Sequence, residues 1–253
     1  MKATVKTPKK YIALYLIFAL FFCAVLAWLI AIGAKTSDIH GENETEISSE
    51  SDTEKYTGPV VVIDAGHGGE DGGTVGKNGV YEKDINLSVS LYLADELKNA
   101  GVEVLLTRSE DILLYDRNSN YEGQKKVQDL AERRRIAESC ENALFVSIHM
   151  NSFPEERYKG LQVYYSENNG GSSALAELIR NTVKQSLQPD NTRQNKTGEN
   201  IYLLDRLSCP AVLVECGFLS NPEECALLSS TDYQKALAKA LAKAITEYIN
   251  ASE

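Results

Sequence analysis

Pro59-Val60-Val61-Val62-Ile63-Asp64-Ala65-Gly66-His67-Gly68-Gly69 is the stretch from which the fold of this chain can be read. Four β-branched residues in succession, with no polar interruption, predict a strand buried on both faces, as central strands of α/β sheets are. Asp64 then leads into a glycine-rich turn that carries His67. The turn falls at the strand's carboxyl end, the edge at which open α/β sheets bind ligands. A glycine turn after a strand also suggests a phosphate loop, but the Lys-Ser/Thr pair of a Walker motif is absent and the GxGxxG spacing is not met. The imidazole is what this turn is built to present.

Upstream of the strand the chain changes character twice. Lys2, Lys6, Lys9 and Lys10 precede an uncharged apolar run from Tyr11 to Ala34, and Lys35 returns the chain to polar sequence. As a helix that run crosses roughly 30 Å of hydrocarbon, and the lysines ahead of it place residues 1–10 in the cytoplasm as a short tail. Ala31-Ile32-Gly33 resembles a processing site, but the apolar core of a cleaved signal peptide is only about 7 to 15 residues. The expectation is therefore an uncleaved transmembrane signal anchor at residues 11–34, with everything after it extracytoplasmic. Residues 35–58 are rich in Ser, Thr, Asp and Glu with almost no large apolar groups. Such a segment buries too little surface to offset chain entropy and reads as an acidic flexible linker, in which His40 is simply solvated.

The whole chain has 253 residues, 43% hydrophobic and 25% charged, a balance that fits one globular domain with attachments. Leaving out the four lysines of residues 1–34, where no acidic residue occurs, 22 basic face 36 acidic groups, a net charge of −14 for residues 35–253. Nucleic acid is excluded as a partner, because phosphate binding demands basic patches. Cys140, Cys209, Cys216 and Cys225 follow the anchor without CxxC spacing. They read as four small buried thiols in a domain large enough to need no staples.

Within residues 59–253 strands and helices alternate. After Val80-Tyr81-Glu82-Lys83-Asp84, a helical stripe of Leu87, Leu91, Ala94 and Leu97 has Asn86 as its expected cap and Gly101 as its stop. Val102–Thr107 predicts a second strand, so the crossover is right-handed onto a parallel sheet. A basic helix near Val127–Cys140 contains Arg133, Arg134 and Arg135, of which at least two read as solvated surface. Ala143–His149 is a third strand, Gly160–Ser166 a fourth, Ala174–Leu187 a helix and 188–200 a loop. Ala211–Val214 is a last buried strand ending at Glu215, before the turn Ser220-Asn221-Pro222-Glu223 and a final helix over Asp232–Ile249. The fold class is α/β: a single three-layer domain with a central, largely parallel twisted sheet flanked by helices, preceded by one transmembrane helix.

The two histidines of this domain each end a buried apolar strand and are followed at once by polar or glycine residues. Three strands thus deliver His67, His149 and Glu215 to one side of the sheet, and the loop before the first helix delivers Glu82. Two imidazoles and one carboxylate form the ligand set of a catalytic zinc site with a position left for water. Zinc bound in this way lowers the pKa of water to about 7 and polarises a carbonyl. A second carboxylate then moves the water's proton to a departing amine. Spacing alone leaves open which of Glu82 and Glu215 does which, and leaves satisfied core histidines as the rival reading. HExxH and GxSxG are both absent. Cys216 is unsuited as a nucleophile, since strand alternation turns it from the face that Glu215 uses.

Asp-Ala-Gly-His-Gly-Gly at 64–69, Glu-Lys-Asp at 82–84, Ser-Ile-His-Met-Asn at 147–151 and Val-Glu-Cys-Gly-Phe-Leu-Ser-Asn at 214–221 together resemble the zinc-dependent N-acetylmuramoyl-L-alanine amidases of bacterial cell walls. The resemblance runs from Val60 to about Asn250. It implies a Zn2+ cofactor on His67, Glu82 and His149, Glu215 as the catalytic carboxylate, and peptidoglycan as substrate. The bond cut is then the amide joining the lactyl group of N-acetylmuramic acid to L-alanine of the stem peptide. Ala65 stands where family members usually have proline, a change to the turn that touches no ligand. One amino-terminal membrane segment, a short stalk and a bare catalytic domain without wall-binding repeats most resemble the spore-cortex, germination-specific members. That resemblance implies work at the forespore surface towards muramic-δ-lactam, with a lipoprotein partner; the alternatives are a vegetative autolysin of the same family and a non-enzymatic, membrane-tethered peptidoglycan-binding protein. Three further residues have two readings each. Asn151 orients substrate or merely forms a turn. Asp64 holds an imidazole through its second nitrogen or caps the turn. Arg108 meets the carboxylates of the stem peptide or pairs with Glu110 or Asp111.

Overall fold

The run of β-branched residues forms β1 (Val60–Ala65), and the polypeptide then alternates as expected: α1 (Glu82–Asn99), β2 (Val104–Leu106), α2 (Lys125–Glu138), β3 (Ala143–Asn151), β4 (Gln162–Tyr165), α3 (Gly171–Ser186), β5 (Lys196–Thr197), α4 (Tyr202–Arg206), β6 (Ala211–Phe218), α5 (Pro222–Leu228) and α6 (Thr231–Ser252). The computed structural model describes residues 58–116, 118 and 123–252. The tail, the membrane anchor and, save Gly58, the linker expected at the amino terminus lie outside the described residues. Among the described residues no helix is long and apolar enough to cross a membrane.

The strands form one six-stranded sheet in the order β2-β1-β3-β6-β4-β5. β1 pairs parallel to β2 and β3, β3 parallel to β6, and β4 parallel to β5. β4 alone runs antiparallel to β6, which makes the mostly parallel sheet a mixed one.

Strand alternation sorts the core into two layers. Val61 and Ile63 of β1, Leu144, Val146 and Ile148 of β3, and Val212, Val214 and Cys216 of β6 pack under α1, α3 and α6. Val62, Phe145 and Ala211, from the same strands, pack on the opposite face with Ala137 of α2 and Leu203 and Leu204 of α4. Each such aliphatic side chain contributes about 1.5–3 kcal/mol on burial, so the register is set from both sides. A consequence follows for the polar residues of these strands. Asp64, Ser147, His149 and Glu215 have the parity of the second face, so they share the side on which α2 lies.

Several local expectations are corrected. Asn86 is not a cap but a fully buried residue inside α1, whose N-cap position is Tyr81. Glu82 is accordingly the first helical residue rather than part of a loop. The second strand is shorter than read, and β6 continues three residues past Glu215. Residues 188–200 contain β5, and α4 follows where nothing was expected. The turn at 220–223 starts a helix: Asn221 accepts a hydrogen bond from the Glu224 amide at 2.9 Å, and Pro222 occupies the first turn. Cys216 and Cys225 are buried, but Cys140 and Cys209 are only half-buried; all four are free thiols.

Candidate active site

The glycine turn after β1 folds back over the carboxyl ends of β1 and β3. His67 takes a left-handed backbone conformation, φ 61°, which a β-carbon makes costly by roughly 1–2 kcal/mol. Two glycines make room for the site. A β-carbon on Gly66 would lie 2.2 Å from Nε2 of His149, and one on Gly73, at φ 65°, would lie 2.6 Å from Oε2 of Glu82. The turn is glycine-rich because imidazole and carboxylate pack against its backbone.

The three residues meet there. Oε1 of Glu82 lies 3.3 Å from Nε2 of His67 and 3.0 Å from Nδ1 of His149. One donor atom from each of the three can be chosen so that all lie within 4.8 Å of one another. Glu82 is only 3% exposed. Its orientation is fixed by the amides of Met150 (3.1 Å) and Asn86 (3.3 Å) on Oε1, and by the amide of Thr74 (2.9 Å) on Oε2. Burial pushes the Glu82 carboxyl up, but hydrogen bonds from His149 and His67 and their charges outweigh it and hold the group far below its usual range. For His67, burial pulls downward and is outweighed by Glu82 and then Asp71, so its pKa is raised. Two imidazole nitrogens facing one carboxylate oxygen are an arrangement that a cation completes.

Support for these residues differs from the sequence reading. Asp64 does not touch an imidazole. Its carboxylate accepts from Ser147 (2.6 Å), Thr107 (2.8 Å) and Arg133 (2.6 Å). The group beside the outer nitrogen of His67 is Asp71, whose Oδ2 lies 3.0 Å from Nδ1. Arg108 is buried, and its guanidinium donates to the carbonyls of Ala65, Gly66, Lys83 and Glu110. Its partners are thus backbone groups, which clamp the turn. Oδ1 of Asn151 accepts from the next amide, Ser152, at 2.8 Å, a turn-forming contact.

Of the three adjacent arginines, Arg134 and Arg135 pair with Glu138 and Glu132 as surface groups do. Arg133 is 1% exposed. It bonds Asp129 and Asp64 and donates at 2.7 Å to the carbonyls of both Ala65 and His67. Sequence reading missed this residue, and the available signal was a polar pair at i, i+4: Asp129 and Arg133, which with Ala137 are the buried residues of α2.

Glu215 stands directly opposite His149 in the β3–β6 register, on the same face. Burial drives its pKa up to about 7 against the attraction of His149. Its Oε2 is buried with no hydrogen-bond partner, which makes it a candidate for chemistry at this edge. Cys216, next in the chain, points into the other layer as alternation requires.

Fold and site define a class: a hydrolytic enzyme whose centre lies at the carboxyl edge of a mostly parallel sheet, with a buried, unpartnered carboxylate beside an imidazole–carboxylate–imidazole cluster. The particular family follows from comparison with known proteins. Residues 61–247 match the family described as N-acetylmuramoyl-L-alanine amidase, and the chain belongs to that family. It is similar to the germination-specific N-acetylmuramoyl-L-alanine amidase of Bacillus subtilis (strain 168), 34% identical over 192 residues that cover 76% of this chain and 80% of that one. Among solved structures it resembles the CwlD amidase from Clostridioides difficile in complex with the GerS lipoprotein, with a TM-score of 0.72 and 37% identity over 76% of this chain and 99% of that chain. AmiC2 of Nostoc punctiforme aligns with a TM-score of 0.64 and 35% identity over 76% of this chain and 97% of that one.

Proposed function

We propose that this chain is a zinc-dependent amidase that hydrolyses the bond between the lactyl carbonyl of N-acetylmuramic acid and the nitrogen of L-alanine, and that it works on spore cortex. The observation that carries the reading is the convergence of His67, Glu82 and His149 within 4.8 Å beside an unpartnered carboxylate oxygen of Glu215. The donor set fits the ion: two imidazole nitrogens and one carboxylate oxygen, with His67 backed by Asp71 and Glu82 by backbone amides. When bound, zinc supplies Lewis acidity at the scissile carbonyl and brings the pKa of water into the neutral range.

The remaining chemistry falls to the chain's own residues. Glu215 takes one proton from the attacking water at Oε2 as the water oxygen bonds to the carbonyl carbon. The same oxygen returns that proton to the alanine nitrogen as the carbon–nitrogen bond breaks, leaving a lactyl carboxylic acid and a free amine. Burial lifts this carboxyl to about 7 in the ion-free site and a bound cation lowers it from there, so it can accept and return a proton near neutral pH.

Three further parts of the proposal concern the setting. The family membership and the similarity to a relative named germination-specific support the cortex as workplace. The apolar run at residues 11–34 supports a signal anchor that leaves the enzyme outside the cytoplasmic membrane. The likeness to a structure of an amidase in complex with a lipoprotein supports a lipoprotein partner. Purified full chain, with zinc and lipoprotein supplied, should release free stem peptides from cortex peptidoglycan, read by mass spectrometry; intact muramoyl–alanine bonds with zinc bound would refute the activity. Cell fractionation tests the anchor, and recovery in the cytosolic fraction would remove it.

A further inference from the structure

Arg193 stands beside the site without a role in the reaction just described. Its Nη2 bonds Oε1 of Gln162, and the Gln162 amide is fixed by a 2.8 Å bond from Nε2 to the Gln194 carbonyl. Gln162 is buried and lies directly opposite Glu215 in the β4–β6 pairing, so the two side chains share a face. The Arg193 guanidinium also lies over the Phe218 ring, 4.8 Å from its centroid. Both supports are neutral, and Nε is buried with no hydrogen-bond partner. The charge is felt at Glu215, whose carboxyl it pulls down. Arg193 lines a cavity of about 500 Å3 with Arg157 and Lys159 and with the acidic Asp190, Glu223 and Glu224. Glu224, which burial pushes up against the pull of this charge, is already engaged by the Phe218 and Gly160 amides at 2.8 and 2.9 Å. A guanidinium desolvated on one edge, held flat on an aromatic ring and offered no carboxylate partner by its direct bonds, is arranged to receive one from outside.

The substrate chemistry says which half brings it. In a muramoyl peptide the lactyl carboxyl is the acyl half of the scissile amide and carries no charge, whereas the free carboxylates belong to the peptide. We infer that Arg193, braced by Gln162 and Phe218, binds a free carboxylate on the peptide half of the substrate and selects acidic stem peptides over amidated ones. This rests on the amidase reading above and names a specificity determinant for it. The contact lies on the leaving-amine side, so the glycan strand needs no charge complement from this residue.

The test uses the zinc-loaded full chain with its partner and synthetic muramoyl-L-alanyl peptides whose carboxylates are amidated one at a time. Wild type should lose about 10- to 100-fold in kcat/KM on one amidated analogue, the range for a hydrogen bond to a charged group. Arg193→Gln should cease to discriminate: its kcat/KM values on the acidic peptide and on that analogue should converge, and any common factor from the lost pull on Glu215 divides out of the ratio. Activity on the analogue also shows that the variant is folded. Arg193→Lys, which keeps the charge but not the planar fork, should discriminate only partly. Equal losses of Arg193→Gln on every substrate, retained discrimination, or a wild type indifferent to amidation would each overturn the inference while leaving the amidase reading intact. Failure of wild type to cut any of these peptides would instead sink the amidase reading, and the inference with it.

Discussion

Replacing Arg133 by leucine isolates the contribution of one buried guanidinium to a turn that it never shares sequence with. In the native protein Arg133 is 1% exposed and bonds Asp64, Asp129 and the carbonyls of Ala65 and His67. Leucine restores apolar volume but leaves two carboxylates buried. Asp64 keeps Ser147 and Thr107, and Asp129 keeps the Leu114 amide, so neither is stranded entirely. Removing one partner of a buried ion pair costs about 3–5 kcal/mol, and for a domain of this size that is roughly a 6–20 °C drop in Tm. Urea unfolding of the full chain measures it.

The pH dependence supplies a second signature. Burial raises the Asp64 carboxyl, but the Arg133 charge and three hydrogen bonds outweigh it, so the folded pKa lies below the ordinary 3.8. A depressed carboxyl contributes stability that is complete above its unfolded pKa and lost as pH falls through its folded pKa. Without Arg133 burial dominates and the carboxyl moves upward, so the variant accepts a proton while wild type does not. The stability gap between the two should therefore narrow as pH is lowered towards about 4. A loss under about 1 kcal/mol at pH 7, or a gap that widens in acid, would refute the claim that this pair holds the turn.

Glu215→Gln should retain zinc, measured by metal analysis, yet lower kcat about 10²- to 10⁴-fold, whereas His67→Ala should lose both; an active, zinc-free His67→Ala protein contradicts the site. Because the Glu215 carboxyl sits at about 7 and a bound cation can only lower it, kcat/KM should rise with pH on an acid limb centred at or below that value. A limb centred well above pH 8 would exclude Glu215 as the base. Gly66→Ala places a β-carbon within 2.2–2.7 Å of the His149 ring, so zinc affinity should drop sharply with little change in the far-ultraviolet circular dichroism spectrum; unaltered affinity would mean that the ring can move aside.

What was legible in the sequence is what apolar patterning controls. β1, β3 and β6 announce themselves by apolar runs, and the chemistry-bearing residue at the carboxyl end of each, or in the turn just after it, is the one the sheet edge presents. That logic brings His67, His149 and Glu215 together. Arg133 escaped because α2 has few apolar residues, so its inward face carries an ion pair where patterning looks for leucine. The start of α5 was read as a turn because Asn-Pro serves both purposes, and the capping bond that decides between them is a tertiary fact. Asp71 and Arg193 lie in loops whose paths are set by the turn glycines and by β5; no periodicity marks them.

The reversal of β4 has a consequence for anyone wishing to redesign the catalyst. Since that strand enters the sheet at the reactive edge and leaves away from it, the connection ahead of it, residues 152–161, returns to the cleft without having supplied any proposed ion-holding side chain. Tyr158 stacks near Phe218, and Arg157 and Lys159 border the same hollow as Arg193. Its largely exposed part, residues 152–159, can be exchanged like a cassette, retuning what the cleft admits, provided that buried Gly160 and Leu161 are kept to hold the chemistry beneath as built.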